Sequence, residues 1–222
     1  MTVIYYTANK EEPSFEARIR MALLHSIGDL PLISVSQDPL DFGKNICVGK
    51  VGVSGQNAIR QFQIGAQEAQ TRYVCSAEAD FLYPPERFQF VPESDQVFYG
   101  ITNWYVIWML SRHARCASKK FTSPFGPLTV GRDLMIRAVE QHLAPQESLW
   151  SHPTATGPPL PNFYTPAPLH PLHTDAPLVT FKTEANMHRK TARISRRTFD
   201  TIPFWGNVRD LIAQYAGNGH GT

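Results

Sequence analysis

Cysteine is scarce in this chain: three in 222 residues. Cys47, Cys75 and Cys116 stand far apart, with no C-x-x-C or C-x-x-H spacing, which argues against a disulfide framework or a zinc site and for a reducing compartment. Long apolar runs are missing too. None approaches the roughly 18 residues of a membrane span, and the start MTVIYYTANK has no basic stretch ahead of an apolar one, so no signal peptide is expected. The expectation is a cytoplasmic protein with no membrane partner. Charge of one sign is also short: a formal net charge of +2 does not by itself imply nucleic acid. Internal repeats and heptads are absent. What remains, 42% hydrophobic and 18% charged residues, describes an ordinary globule large enough to bury one sizeable core, so a single domain over 1–222 is expected.

The order of elements predicts a sheet with crossovers. Val3–Tyr6 is a short β-rich run ending at Thr7-Ala8-Asn9. After Pro13, the segment SFEARIRMALLHSIG places Phe15, Ile19, Leu23 and Ile27 on one helical face, with Ser14 as N-cap and Gly28 as stop. Leu32–Val35 reads as the next strand, left at Ser36-Gln37-Asp38-Pro39. This β-α-β opening predicts a mostly parallel sheet in an α/β/α sandwich. GKNICVGKVGVSG reads as a loop into a helix over 54–70, followed by a strand over Tyr73–Ala77. Further strands are expected at Gln96–Ile101, Trp104–Leu110 and Leu178–Lys182, with helices at Arg132–Leu143 and Phe204–Tyr215. Residues 153–177 hold eight prolines and almost no charge. Such density predicts extended chain without regular structure: a passive crossing, or a semi-rigid flap carrying Phe163 and Tyr164 over a binding site.

The most informative stretch is YVCSAEADFLYPP, residues 73–85. An apolar strand stops abruptly at Glu78-Ala79-Asp80, and two carboxylates there are costly unless a cation meets them. A divalent metal with a phosphorylated ligand would meet them well, since hard ions share carboxylate and phosphate oxygens. Pro84 and Pro85 are expected to stop the strand and leave the acids at a sheet edge. The bland alternative is a solvated pair of loop acids.

The segment leading into that pair resembles the metal-binding core of GT-A-type nucleotide-sugar glycosyltransferases, particularly the inverting family 2. Gln63-Ile64-Gly65 sits where that family has N-x-G, Ala66, Ala69 and Tyr73 follow at matching places, and Glu78 and Asp80 fall on the two acids of its D-x-D. Gln replaces Asn, and Glu replaces the first Asp. The resemblance implies a GT-A fold, with residues 1–110 as the nucleotide-sugar-binding half and 111–222 as the acceptor half. It implies Mn²⁺ or Mg²⁺ on Asp80, a UDP-sugar donor, and Glu78 beside them. Thr7, Ala8 and Asn9 lie where the family holds uracil and ribose, Gln37 and Asp38 end the next strand, and Arg60 on the following helix could reach base or phosphate. The family's further metal ligand, often a late histidine, points to His188, with His170 and His173 as rivals. Lys190 beside it would neutralise the leaving diphosphate. For the base that activates the acceptor, Asp133 of Gly131-Arg132-Asp133 is favoured and Glu147 is the other nearby acid, although Asp133 also suits a helix start without catalytic duty.

The phrases YYTAN, PLISVSQDPLDFGKNICVG and AEADFLYPP are similar to a narrower group, the glycosyltransferases encoded beside TET/JBP-type oxygenases in bacteriophage genomes. That likeness implies an acceptor in DNA, the hydroxymethyl group of 5-hydroxymethylcytosine or a related pyrimidine, and a location in the host cytoplasm. RHARCASKK (112–120) and HRKTARISRR (188–197) hold no acid and suit a phosphate backbone, or else a solvated face. An acceptor buried in a duplex would need extrusion, for which Trp104, Tyr105 and Trp108 are candidate stackers or simply core. A glycan or lipid-linked acceptor, or an idle binding module of the same fold, are the alternatives.

Overall fold

The computed structural model describes residues 1–109, 116–120 (backbone only), 127–143, 150, 167–186 and 197–216. It is a mixed α/β molecule built on a seven-stranded, mostly parallel sheet. The strands of this sheet are β1 (Thr2–Thr7), β2 (Leu32–Ser36), β3 (Lys44–Cys47), β4 (Tyr73–Glu78), β6 (Phe98–Ile101), β9 (Leu128–Gly131) and β10 (Leu169–Leu172). Their order is β10-β6-β9-β4-β1-β2-β3, and β9 alone runs antiparallel to both neighbours. A four-stranded sheet adds β5 (Phe81–Leu82), β11 (Leu178–Lys182), β7 (Asn103–Trp108) and β8 (Cys116–Lys120) in the order β5-β11-β7-β8. A small hairpin pairs β12 (Thr201–Ile202) with β13 (Gly206–Asn207).

Alternation along β1 explains the layering. Ile4 faces one side with Ile33, Val35 and Val74, against helices α2 (Gly55–Glu68) and α4 (Arg132–Leu143). Val3 and Tyr5 face the other, against α1 (Pro13–Ile27) and the start of the smaller sheet. A third cluster joins Phe15 and Ile19 of α1 to Val179 and Phe181 of β11 and to Val208 and Leu211 of α5 (Val208–Ala216). A strand with both faces covered reads as a continuous apolar run, as VIYY does. Because β9 enters the main sheet between β4 and β6, the two halves of the chain share one sheet.

Several boundaries differ from the sequence reading. Glu12, not Ser14, caps α1: its carboxylate accepts the Ser14 and Phe15 N–H groups at 3.0 and 2.8 Å, and Pro13 occupies the first turn, where a missing N–H costs nothing. Residues 44–47, expected in a loop, form the edge strand β3, parallel to β2. An edge strand with half its surface in water carries little apolar signal. Part of the proline tract is likewise a strand. β10 holds Pro171 yet pairs with β6, which an edge strand permits because its outer side needs no N–H. Phe204 belongs to the turn between β12 and β13, with φ 68°, so the last helix begins at Val208. Phe163 and Tyr164 lie outside the described residues.

The acid pair is not at a sheet edge. β4 lies between β1 and β9, and the strand ends in the turn at Ala79-Asp80 before either proline is reached. The short β5 then carries the chain into the second sheet, paired with β11.

Candidate functional site

The strand order places a crevice before any side chain is considered. From β1 the chain winds outward through β2 and β3, then returns through α2 to β4 on the opposite side of β1. In an open α/β sheet, the carboxyl ends of two strands flanking such a reversal diverge and leave room for a ligand. Here those ends carry Thr7-Ala8-Asn9 and Glu78-Ala79-Asp80.

On the β4 side, four segments converge. Asp80 Oδ2 accepts hydrogen bonds from Thr180 Oγ1 (3.1 Å), Lys182 Nζ (2.9 Å) and Asn186 Nδ2 (3.0 Å). Asn186 Nδ2 also approaches Glu11 Oε1 at 3.0 Å, and Thr183 Oγ1 donates to Glu11 Oε2 at 2.7 Å. The Asp80 and Lys182 side chains are only 12% and 18% exposed, so the ion pair is largely desolvated and each partner depends on the other. All three donors fall on one oxygen of Asp80. The buried Oε1 of Glu78 has no hydrogen-bond partner, although the Tyr6 hydroxyl lies against the same carboxyl.

The electrostatics follow from that crowding. Burial and the neighbouring Asp80 charge push the Glu78 carboxyl up to about 8, against the opposing pull of Lys182. Burial also raises Glu11, partly offset by its bond from Thr183. Burial works to lower Lys182, but the charge and hydrogen bond of Asp80, with Glu78 and Glu11 behind them, outweigh it and raise its pKa. Tyr83 closes the cluster, its hydroxyl accepting the Glu78 N–H at 2.9 Å. Behind Tyr83, the fully buried Arg87 donates Nη2 to Ser76 O and Leu128 O where β4 and β9 part.

On the β1 side the loops are pinned by side chains. Asn9 adopts φ 52°, a conformation asparagine tolerates, and its Oδ1 accepts the N–H groups of Gln37 and Asp38, each at 2.9 Å. Thr7 Oγ1 accepts the Asn9 N–H at 2.9 Å. Gln37 grips the Gly52 peptide by both ends of its amide, and Asp38 pairs with Lys50. Thr7, Asn9 and Gln37 therefore pin the loops at the carboxyl ends of β1 and β2, with their acceptor oxygens committed to backbone. Arg60 is turned along α2, donating to Gln63 and facing Glu140 of α4 rather than the strand ends.

Asp133 is not brought to this site. β9 is antiparallel, so Gly131 pairs with Tyr73, at the amino end of β4. Five residues of strand, about 17 Å, separate that end from Glu78. There Asp133 pairs with Arg132 beside Arg72, Asp95 and Arg137 in an open polar pocket of about 290 Å³. His170 lies edge-on to Tyr99, and His173 is within 3.3 Å of Thr102 Oγ1. Trp104 is core, stacked on Phe81, and Tyr105 packs on Phe199. His188, Lys190 and Glu147 lie outside the described residues, as does all of the 188–197 run except Arg197. Sequence reasoning missed Lys182, Glu11 and Asn186. The signal for Lys182 was a lone cation closing the apolar strand LVTFK.

No group of three or more His, Cys, Asp and Glu side chains among the described residues is arranged to hold a metal alone. Asp80, with its three donors on one oxygen, could serve only an ion that takes most of its shell from water and phosphate, as Mg²⁺ and Mn²⁺ do. No helix among the described residues is long and apolar enough to cross a membrane.

No protein-family model matches the chain, and no curated protein does. Among solved structures it is similar to the inositol-1-phosphate CTP transferase from T. maritima, at 11% identity and TM-score 0.50, covering 98% of this chain and 96% of that one. The shared feature is a Rossmann-like α/β fold on a mostly parallel central sheet. A glycosyltransferase involved in glycosylation of the major capsid of PBCV-1 matches at 13% identity and TM-score 0.47, covering 81% of this chain and 92% of that one. A CMP-2-keto-3-deoxy-manno-octonic acid synthetase matches at 11% identity and TM-score 0.40, over 67% and 78% of the respective chains.

Proposed function

We propose that this protein is a metal-dependent glycosyltransferase that moves a sugar from a UDP-sugar to the hydroxymethyl group of a modified pyrimidine in DNA. The observation that carries the transferase reading is the acid pair at the carboxyl end of β4 beside the β1 reversal point, with Glu78 Oε1 unpartnered and all three donors to Asp80 on Oδ2. Asp80 and Glu78 would hold the divalent ion, which when bound supplies charge for the diphosphate. Transfer breaks the bond between the sugar's anomeric carbon and the phosphate oxygen, forms one to the acceptor oxygen, and sends the acceptor proton to a base. The chain's own contribution is placement. Thr7, Asn9 and Gln37 pin the loops that would receive the nucleoside, and Glu11, Thr183 and Asn186 hold Asp80 and Lys182 in register. The DNA acceptor is supported by the sequence likeness and by the acid-free segments 112–120 and 188–197.

A second reading has its own support: the full-length likeness to a CTP transferase favours nucleotidyl transfer to a sugar phosphate. One set of incubations separates the two. With Mn²⁺, UDP-glucose and DNA containing 5-hydroxymethylcytosine, glycosyl transfer yields a hexosylated nucleoside by mass. With CTP or UTP and a sugar phosphate, nucleotidyl transfer releases pyrophosphate. UDP release from UDP-glucose without any gain in nucleoside mass sends the acceptor assignment to a glycan or lipid-linked alcohol. Binding of UDP with no turnover of any donor leaves an idle module.

A further inference from the structure

Resting on the donor reading above, we infer that Lys182 is the donor's phosphate-binding cation and that it couples diphosphate binding to metal binding through Asp80. The argument begins with what Lys182 faces. Its ammonium is largely buried, bonds Asp80 Oδ2 at 2.9 Å, and feels Glu78 and Glu11 as well. It ends β11 at the point where the chain leaves the smaller sheet for Thr183 and Asn186, both tied to Glu11. The lysine therefore stands at a strand end, against Asp80 in the turn that follows β4.

Charge decides the order of events. The one ammonium is already engaged by Asp80, with the Glu11 carboxylate close by. A diphosphate arriving alone finds that cation occupied and carboxylate charge beside it, which opposes its entry. A divalent ion arriving alone must share Asp80 with an ammonium already seated on it, and like charges at hydrogen-bond range oppose each other strongly in a desolvated pocket. When both arrive together the conflicts cancel. The ammonium of Lys182 turns from Asp80 to a phosphate oxygen, and Asp80 is freed for the ion. Each ligand removes the obstacle to the other, which by linkage gives one coupling factor seen from either side.

The test uses the full chain with Mn²⁺ and UDP as probes. Free Mn²⁺ is followed by electron paramagnetic resonance with and without UDP, and UDP binding by calorimetry with and without Mn²⁺. In the wild type each ligand is expected to tighten the other by about tenfold or more, in the range of coupled sites. Lys182→Met is expected to tighten Mn²⁺ alone by about tenfold, to weaken UDP in the presence of Mn²⁺, and to reduce the coupling factor toward one. Lys182→Arg, which keeps the charge, should retain most of the coupling. If Mn²⁺ and UDP bind the wild type independently, the inference is overturned without recourse to any variant. It is also overturned if Lys182→Met, folded by circular dichroism, keeps the wild-type coupling. Failure of the wild type to bind UDP under any condition instead removes the donor reading itself.

Discussion

The two ends of β4 both collect charge, and they handle it in opposite ways. At the amino end, Arg72 with Asp95 and Arg132 with Asp133 form solvent-facing pairs, and Arg137 donates to Gln96 beside them. Water screens these pairs, and removing one member leaves the other solvated. At the carboxyl end, Asp80 and Lys182 pair largely out of water, with Glu11 and Glu78 close by and the buried Oε1 of Glu78 without a hydrogen bond. Exposed pairs are stabilised mainly by water, whereas a desolvated cluster depends on its own members, and perturbed groups of that kind are where functional sites are sought.

Substitutions at each end test the contrast. The largest effect is expected from Asp80→Ala, which strips the buried ammonium of its partner. It should cost about 3–5 kcal/mol in urea unfolding and abolish Mn²⁺-dependent UDP binding; retained binding would move the metal elsewhere. Asn9→Ala comes next. It forces alanine into a positive-φ position and removes the acceptor shared by the Gln37 and Asp38 N–H groups. About 1–3 kcal/mol is expected, with weaker nucleotide affinity, whereas Asn9→Gly should restore part of the stability and none of the hydrogen bonds.

Glu78 yields a dependence on pH rather than a single loss. Its carboxyl is raised in the folded state to about 8 by burial and by Asp80. The folded protein thus retains a proton that the unfolded chain releases near the ordinary carboxylate value. Between the two values the folded state binds more protons, so stability is greatest below the ordinary value and falls as pH rises toward about 8. Glu78→Gln should flatten that decline in ligand-free unfolding curves taken from acid to mildly alkaline pH; an unchanged slope would place the titration elsewhere. The smallest effect belongs to the other end. Asp133→Ala should change stability by no more than about 0.5 kcal/mol and leave turnover intact. A large loss of turnover there would reverse the contrast and restore Asp133 as the base.

Local patterns carried much of the fold. Leu178–Lys182 and Arg132–Leu143 were legible to the residue, because apolar alternation and helical periodicity are local properties. Strand direction is not local. Nothing in PLTVGRD states that β9 runs antiparallel, and that one fact carries Asp133 to the far end of β4. The site divides the same way. Glu78 and Asp80 were visible as acids breaking an apolar strand. Lys182, Glu11 and Asn186 were not, because their meaning comes only from a contact across about a hundred residues of chain or more. Edge strands β3 and β10 escaped notice because a half-solvated strand tolerates lysine, asparagine and even proline.

Gly65 has a consequence of another kind. A Cβ at this position would lie 2.4 Å from Ile4 Cγ2 and 3.3 Å from Val35 Cγ2, so the glycine acts as a spacer gauge, setting how near α2 may lie to β1 and β2. It does so on the inner face of the helix, away from the ligand crevice. Any larger residue there would push the helix off the sheet, whatever chemistry the crevice performs. The glycine of the N-x-G-like motif thus answers to the packing of a helix on a sheet, a demand separate from the one that the proposed function places on Asp80 and Lys182.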